Sequence, residues 1–329
     1  MKLTFEQIKT ITKGAVRVEE KNGAVHLFRF TKEQESAYST RTTIGGKSLW
    51  DKTLATAGIR LEFVTSSRAL AIEVEGVPAS SSNCFVHDVL VNGEKIGSFG
   101  ENESDKREFS ASFELGEGEK EVKIYFPWAS ASAIRSLMLD DGATIIPVKK
   151  SKKMLIYGDS ITHGYVAVNP SNSYASRLTD ALDAEAFNKA IGGEIFFPEL
   201  AEVSDEGDFD YITVAYGTND WSHVTKEYFD ETATAFYRAL SRRHPNAKIF
   251  ALAPIWRADY QKVTEVGEFS YMKQVFDGLA KELPNLTVID CFGFVPADSQ
   301  YFADKTLHPN DAGFEHYFNG VWNEIQKYL

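Results

Sequence analysis

Residues 154–165 read "MLIYGDSITHGY", an apolar strand that runs into Gly158, Asp159 and Ser160 where a loop would begin. A serine at such a place is by default a helix N-cap, its side-chain oxygen accepting a backbone N–H. From this stretch onward, strand-like and helix-like runs alternate. The strand candidates are "KMLIYG", "AEAFNKA", "YITVAYG", "AKIFALAP" and "LTVIDC". Between them lie "SYASRLTDALD", "KEYFDETATAFYRALSRRH" and "YMKQVFDGLAKEL", and the chain closes with "DAGFEHYFNGVWNEIQKYL". Phe229, Ala233, Phe236 and Leu240 recur at helical spacing. This alternation predicts an α/β domain, a parallel sheet covered by helices on both faces.

Upstream the pattern differs. "AVRVEEKNGAVHLFRF" places two strand-like runs around Asn22-Gly23, a pair favoured in tight hairpins, and Asn92-Gly93 offers a second one. Leu70, Ile72 and Val74 alternate with Ala and Glu, the period-2 pattern of a strand buried on one face. Only "TFEQIKTIT" reads as a helix in this half. Short strands separated by turn residues predict an all-β sandwich or jelly roll over residues 1–150, closing near "IIPVKKSKK", with the α/β domain over 151–329.

With 329 residues, 43% of them hydrophobic, the chain is long enough for two domains with their own cores. A net charge of -12 disfavours nucleic acid and anionic membranes, whose recognition needs clustered Lys and Arg. Cys84 and Cys291 lie far apart with no CxxC spacing, so both read as buried apolar residues rather than a disulfide or zinc site. The start lacks the apolar run of a signal peptide and no later run is long enough to span a bilayer, so a cytoplasmic protein is expected.

In open α/β sheets ligands bind beyond the carboxyl ends of the strands. The first strand ends at Ser160, the second runs into "NKAIGGE", the third ends in "YGTND", and "ADKTLHPND" precedes the last helix. Acyl transfer requires a nucleophile, a base, a group that orients the base, and donors aimed at the developing oxyanion. Taken singly, Ser160 is a cap, Gly192-Gly193 a turn, Asn219 a turn residue, and Asp304 and His308 ordinary loop residues. Their joint occurrence at successive strand ends favours catalysis. His163 follows Ser160 too closely to be preferred as the base, and Asp159 reads as a brace for the loop. The seven histidines include no HExxH pair, and no GxGxxG or GxxxxGK[ST] loop occurs.

"YGDSITHG", "NKAIGGE", "YGTND" and "DKTLHPND" resemble, in order, the four sequence blocks of the SGNH hydrolases, the GDSL esterase and lipase superfamily, over roughly residues 152–329. The resemblance implies a flavodoxin-like three-layer α/β/α domain. It implies Ser160 as nucleophile, His308 as base, and an oxyanion hole built from the backbone N–H of Ser160, the backbone N–H of Gly193 and the side chain of Asn219. No metal or organic cofactor is implied. In the family pattern the acid lies three residues before the histidine; here position 305 is Lys and the nearest acid, Asp304, lies four before. A helical turn would bring Asp304 to the imidazole; otherwise a backbone carbonyl would orient His308.

A β-sandwich preceding such a domain resembles bacterial carbohydrate esterases that remove acetyl groups, in which the accessory domain can help form the substrate cleft. Trp221 and Trp256 then become candidates for stacking on a sugar, against an alternative role in packing. No long apolar lid is visible, which favours a small acyl group. The expected substrate is an acetylated small molecule or oligosaccharide. The alternatives are a general short-chain esterase or thioesterase, and a carbohydrate-binding protein with impaired catalysis.

Overall fold

Asn22 and Gly23 both take positive φ, 54° and 74°, so they form the two-residue turn that joins Arg17–Lys21 to Ala24–Phe28. Asn92 and Gly93 do the same between His87–Val91 and Glu94–Phe99. The N-terminal helix, Phe5–Ile11, starts at a capping box in which Thr4 and Gln7 exchange hydrogen bonds. In this computed structural model, which describes residues 1–43 and 45–329, these elements belong to the first of two compact units. That unit comprises Met1–Thr31, Asp51–Ser151 and Val168–Ser171.

Two antiparallel sheets build it. One runs in the order Thr12–Lys13, Arg60–Thr65, Lys120–Tyr125, His87–Val91, Glu94–Phe99, with Ile145–Pro147 also paired to Arg60–Thr65. The other runs Arg17–Lys21, Ala24–Phe28, Ser130–Leu139, Ala69–Pro78, Glu108–Glu114. Leu61, Phe63, Val122 and Ile124 of the first sheet share one buried cluster with Leu70, Ile72, Val74 and Leu137 of the second. The unit is therefore a sandwich whose core lies between its sheets. Cys84 belongs to this unit and Cys291 to the other; both thiols are free and buried.

The second unit comprises Lys32–Trp50, Lys152–Ala167 and Asn172–Leu329. Its parallel sheet has strands β1 (Lys152–Gly158), β2 (Ala184–Asn188), β3 (Tyr211–Ala215), β4 (Lys248–Ala253) and β5 (Leu286–Asp290), in the order β2-β1-β3-β4-β5. Met154, Leu155, Ile156 and Tyr157 are consecutive and all buried, which in a pleated strand means that both faces of β1 are covered. The helices Tyr174–Ala181, Lys226–Arg243, Tyr271–Glu282 and Asp311–Ile325 fall on the four helical runs read from the sequence. Phe229, Ala233, Phe236 and Leu240 are all fully buried. Among the described residues, no helix is long and apolar enough to cross a membrane.

A cut of the chain at residue 150 misassigns two pieces, of which the shorter, Val168–Ser171, returns to the first unit. Lys32–Trp50, with its helix Lys32–Ala37, belongs to the second unit although it lies in the first half of the sequence. "KEQESA" has no apolar periodicity to announce a helix. Its place is set by distant polar partners, as where Gln34 Nε2 donates to Val203 O at 3.0 Å and to Asp205 Oδ2 at 2.9 Å.

Phe236 is fully buried, with its ring centroid 5.5 Å from that of Tyr157 and 5.6 Å from those of Phe196 and Tyr216. Phe236→Ala leaves a cavity that these large rings cannot readily fill and should cost about 3–5 kcal/mol in urea unfolding followed by circular dichroism. A loss under about 1 kcal/mol would contradict this packing.

Candidate active site

Ser160 opens a single helical turn, Ser160–His163, directly after β1. Asp159 caps that turn, its Oδ1 accepting the Ile161 N–H at 3.0 Å, so the capping role falls to Asp159 and Ser160 is left free of it. Burial pushes the Asp159 carboxyl up to about 6, against the hydrogen bond from Ile161. Gly158 makes the tight turn possible: a Cβ there would lie 2.3 Å from Thr162 Oγ1 and 3.1 Å from Ala215 O. Only a residue without a side chain lets these groups approach.

Ser160 Oγ lies 2.9 Å from His308 Nε2, and His308 Nδ1 lies 2.6 Å from Asp304 Oδ2. An ionised carboxylate can only accept, so Nδ1 carries the proton and the Nε2 lone pair faces the serine hydroxyl. Tyr165 packs edge-on against the imidazole with ring centroids 4.6 Å apart.

The extra residue between Asp304 and His308 is accommodated without a helical turn. Lys305 takes φ 66°, the left-handed region, and the chain wraps around the carboxylate. Asp304 Oδ1 then accepts the N–H groups of Thr306, Leu307 and His308 at 2.9, 2.8 and 3.1 Å, while Oδ2 holds the imidazole. Partial burial works to raise the Asp304 carboxyl, but hydrogen bonds from the His308 ring and from these three N–H groups outweigh it and hold it well below the usual range.

On the other side of Ser160 stands the turn after β2. Lys189 N donates to Ile156 O at 2.7 Å and Ile191 N to Gly158 O at 3.0 Å, so the chain continues to track β1. Gly192 faces the serine, since a Cβ there would lie 3.6 Å from Ser160 Cβ. The Gly192 N–H donates to His163 Nδ1 at 3.1 Å, which gives His163 a role in holding this turn. Gly193, at φ 86°, has an N–H that no described residue accepts. Asn188 fastens the start of the turn, its Nδ2 donating to Thr162 O at 3.1 Å and its Oδ1 accepting from Ala190 N at 2.9 Å.

Asn219 sits in the first turn of Thr218–His223, after Gly217 at φ 122°. A Cβ on Gly217 would lie 2.9 Å from Met272 Sδ, so glycine is needed there for both conformation and space. Asn219 Nδ2 donates one hydrogen to Glu194 O at 2.9 Å, which joins this block to the glycine turn and leaves the second hydrogen outside that bond. Arg257 Nη1 fastens the same short helix through Thr218 O at 2.9 Å and Ser222 Oγ at 2.7 Å.

The tryptophans part company. Trp221 is 1% exposed, its Nε1 donates to Gly267 O at 2.9 Å and the Arg257 guanidinium lies 4.8 Å over its ring. It is a packing residue and cannot present a face to a sugar. Trp256 is half-buried, with its ring centroid 5.0 Å from that of Phe302, next to the loop that bears His308. A wider cavity of about 490 Å³ is lined by Tyr260, Phe269 and Phe292 among others, but by none of Ser160, His308 and Asp304. Size alone therefore does not locate the chemistry.

Sequence reading passed over Asp220 and Glu194, both fully buried carboxyls beside the motif residues. Asp220 Oδ1 accepts the Phe196 N–H at 3.0 Å, while its Oδ2 has no partner among the described residues. Their signal was two acids, in "GTND" and "IGGE", set among residues that were to be buried.

A serine hydroxyl, an imidazole and a carboxylate in hydrogen-bonded series at the carboxyl end of a five-stranded parallel sheet define a carboxylic ester hydrolase of the SGNH type. Residues 156–316 match the GDSL-like lipase/acylhydrolase family. Solved structures share the fold across both units. A salicylyl-acyltransferase from a tetracycline biosynthetic pathway is 22% identical, with TM-score 0.81 over 96% of this chain and 94% of that one. A family two carbohydrate esterase from Cellvibrio japonicus is 16% identical, with TM-score 0.68 over 99% and 97%. An acetyl xylan esterase from the rumen bacterium Butyrivibrio proteoclasticus is 16% identical, with TM-score 0.63 over 84% and 92%. No curated protein matches the chain by sequence.

Two outcomes follow. Asp304→Asn would keep an acceptor for the loop N–H groups but set an amide against Nδ1, favouring the tautomer whose Nε2 is protonated; kcat should fall about 10²–10⁴-fold. Burial, opposed by the Phe196 N–H, pushes the Asp220 carboxyl up to about 7. Its folded pKa lies above the unfolded one, so the stability it contributes is complete below the unfolded value and is lost as pH rises through about 7. Asp220→Asn, neutral throughout, should gain stability relative to wild type between about pH 5 and 8, read from thermal melts at each pH; a constant difference would refute the assignment.

Proposed function

We propose that the protein is a serine esterase that removes short acyl groups, acetyl above all, from hydroxyls of carbohydrates through an acyl-enzyme intermediate. The observation that carries the esterase chemistry is the relay from Ser160 through His308 to Asp304, with contacts of 2.9 and 2.6 Å. His308 Nε2 takes the proton of Ser160 Oγ as the oxygen attacks the ester carbonyl. The tetrahedral oxyanion is met by the N–H groups of Ser160 and Gly193 and by the free hydrogen of the Asn219 amide. His308 returns the proton to the departing alcohol, then activates water against the acyl-enzyme.

The carbohydrate part of the reading draws on the likeness to a family two carbohydrate esterase and an acetyl xylan esterase, both with TM-scores above 0.6. Trp256, half-buried beside the His308 loop, has a ring suited to an apolar sugar face. Trp221 takes no part.

Hydrolysis of 4-nitrophenyl acetate, butyrate and octanoate, alongside release of acetate from an acetylated xylo-oligosaccharide, tests the reading with wild type and Ser160→Ala in parallel. Acetate should be preferred, the oligosaccharide should be deacetylated, and Ser160→Ala should lose at least about 10³-fold in kcat/KM. Preference for octanoate, or full activity in Ser160→Ala, would overturn it. Trp256→Ala should raise KM for the oligosaccharide several-fold and leave the acetate ester nearly unchanged.

A further inference from the structure

The glycine turn is bracketed by two buried charges of opposite sign. Lys189, immediately before it, is fully buried, and Glu194, immediately after it, is 1% exposed. A charge withdrawn from water persists only where partners compensate it. At each end of the turn one of those partners comes from the excursion Lys32–Trp50: the neutral Gln34 amide beside Lys189, and the Arg41 guanidinium beside Glu194.

At the first end, Lys189 Nζ lies 2.8 Å from Asp205 Oδ1 and donates to Gln34 Oε1 at 3.1 Å. Gln34 returns its own amide hydrogens to Asp205 Oδ2 and Val203 O. At the second end, Arg41 Nη2 lies 2.6 Å from Glu194 Oε1, and its guanidinium stacks 3.8 Å over the Phe197 ring. Tyr38 also packs edge-on against Phe197, with ring centroids 5.1 Å apart. Glu194 Oε1 also accepts the Ile195 N–H at 3.0 Å, whereas Oε2 has no partner among the described residues. Arg41 is thus the cationic partner of a carboxylate whose own backbone carbonyl receives the Asn219 amide at 2.9 Å.

We propose that residues 32–50 act as a brace for the oxyanion turn, with Arg41, acting through Glu194, as a positioning residue for Gly193 and Asn219. Arg41 touches no reacting atom. It holds Glu194 between the two donors, so that the Gly193 N–H and the Asn219 amide keep one spacing relative to Ser160. This inference rests on the esterase reading for its kinetic consequence, and on geometry alone for the order of the turn. Donor position matters in the transition state more than in the bound ester, so loss of the brace should act on kcat rather than KM.

The test uses the full chain with Arg41→Met, Arg41→Lys and the double variant Arg41→Met/Glu194→Gln, with exposed Lys47→Ala on the same excursion as control. On 4-nitrophenyl acetate, Arg41→Met should lower kcat about 10–100-fold with KM within about threefold, since a displacement near 1 Å suffices for such a loss. Arg41→Lys should recover most of the rate by keeping the charge. The double variant should exceed Arg41→Met alone, because no unpaired carboxylate remains buried. Lys47→Ala should match wild type. Hydrogen exchange read in parallel should show faster exchange over residues 189–196 in Arg41→Met. Unchanged exchange there, a lowered melting temperature with kcat within about twofold of wild type, or a double variant worse than Arg41→Met would each overturn the proposal. Loosened exchange in a protein whose wild type hydrolyses no ester would overturn the esterase reading and leave the brace standing.

Discussion

The close approach at Gly158 is the constraint on which the site depends. Three stretches of chain meet at the carboxyl end of β1: the turn that starts at Ser160, the end of β3 through Ala215 O, and the turn after β2 through Ile191 N. No side chain fits between them. Ser160 follows directly on the strand end, and Gly192 lies against it. Ser160 and the glycine turn are thereby placed by backbone hydrogen bonds, which tolerate little rearrangement when buried.

The electrostatics follow from the same burial. A carboxylate near the surface, Asp304, is kept ionised by four hydrogen bonds and can therefore fix the imidazole tautomer. The deep carboxyl of Asp220, with one N–H for company, is pushed the other way. Glu194 is as deep, and burial pushes its carboxyl up as well, with the Arg41 guanidinium working against that rise. Three acids of similar intrinsic strength thus part in direction: hydrogen bonds hold Asp304 low, while burial raises Asp220 and Glu194.

Much of this was readable in the sequence because the signals were local. Period-2 and helical spacing marked the sandwich strands and the four long helices, and Asn-Gly pairs marked two hairpins whose positive φ values require such residues. Ser160, Gly193, Asn219 and His308 each stand at the end of a strand or just before a helix, where an open sheet exposes its ligand groups. The short helix Lys32–Ala37 escaped because its residues are polar and its order is owed to partners such as Val203 and Asp205, more than 160 positions away. Trp221 stood open between stacking and packing for a related reason: the same ring suits a sugar or an arginine, and only the packing of Arg257 and Phe269 decides between them.

The sequence by itself determined the alternation of the long strands and helices, a β-rich first half followed by an α/β pattern, and which residues stood as candidates for the site. These depend on neighbours a few residues apart, whose spacing the chain carries explicitly. Tertiary structure decided how Asp304 reaches His308 and which fold owns residues 32–50. The reach turns on one residue, Lys305, entering the left-handed region so that a single carboxylate can gather three backbone N–H groups. The ownership turns on where buried charges find partners of opposite sign. Both are settled by contacts that exist only once the chain has folded.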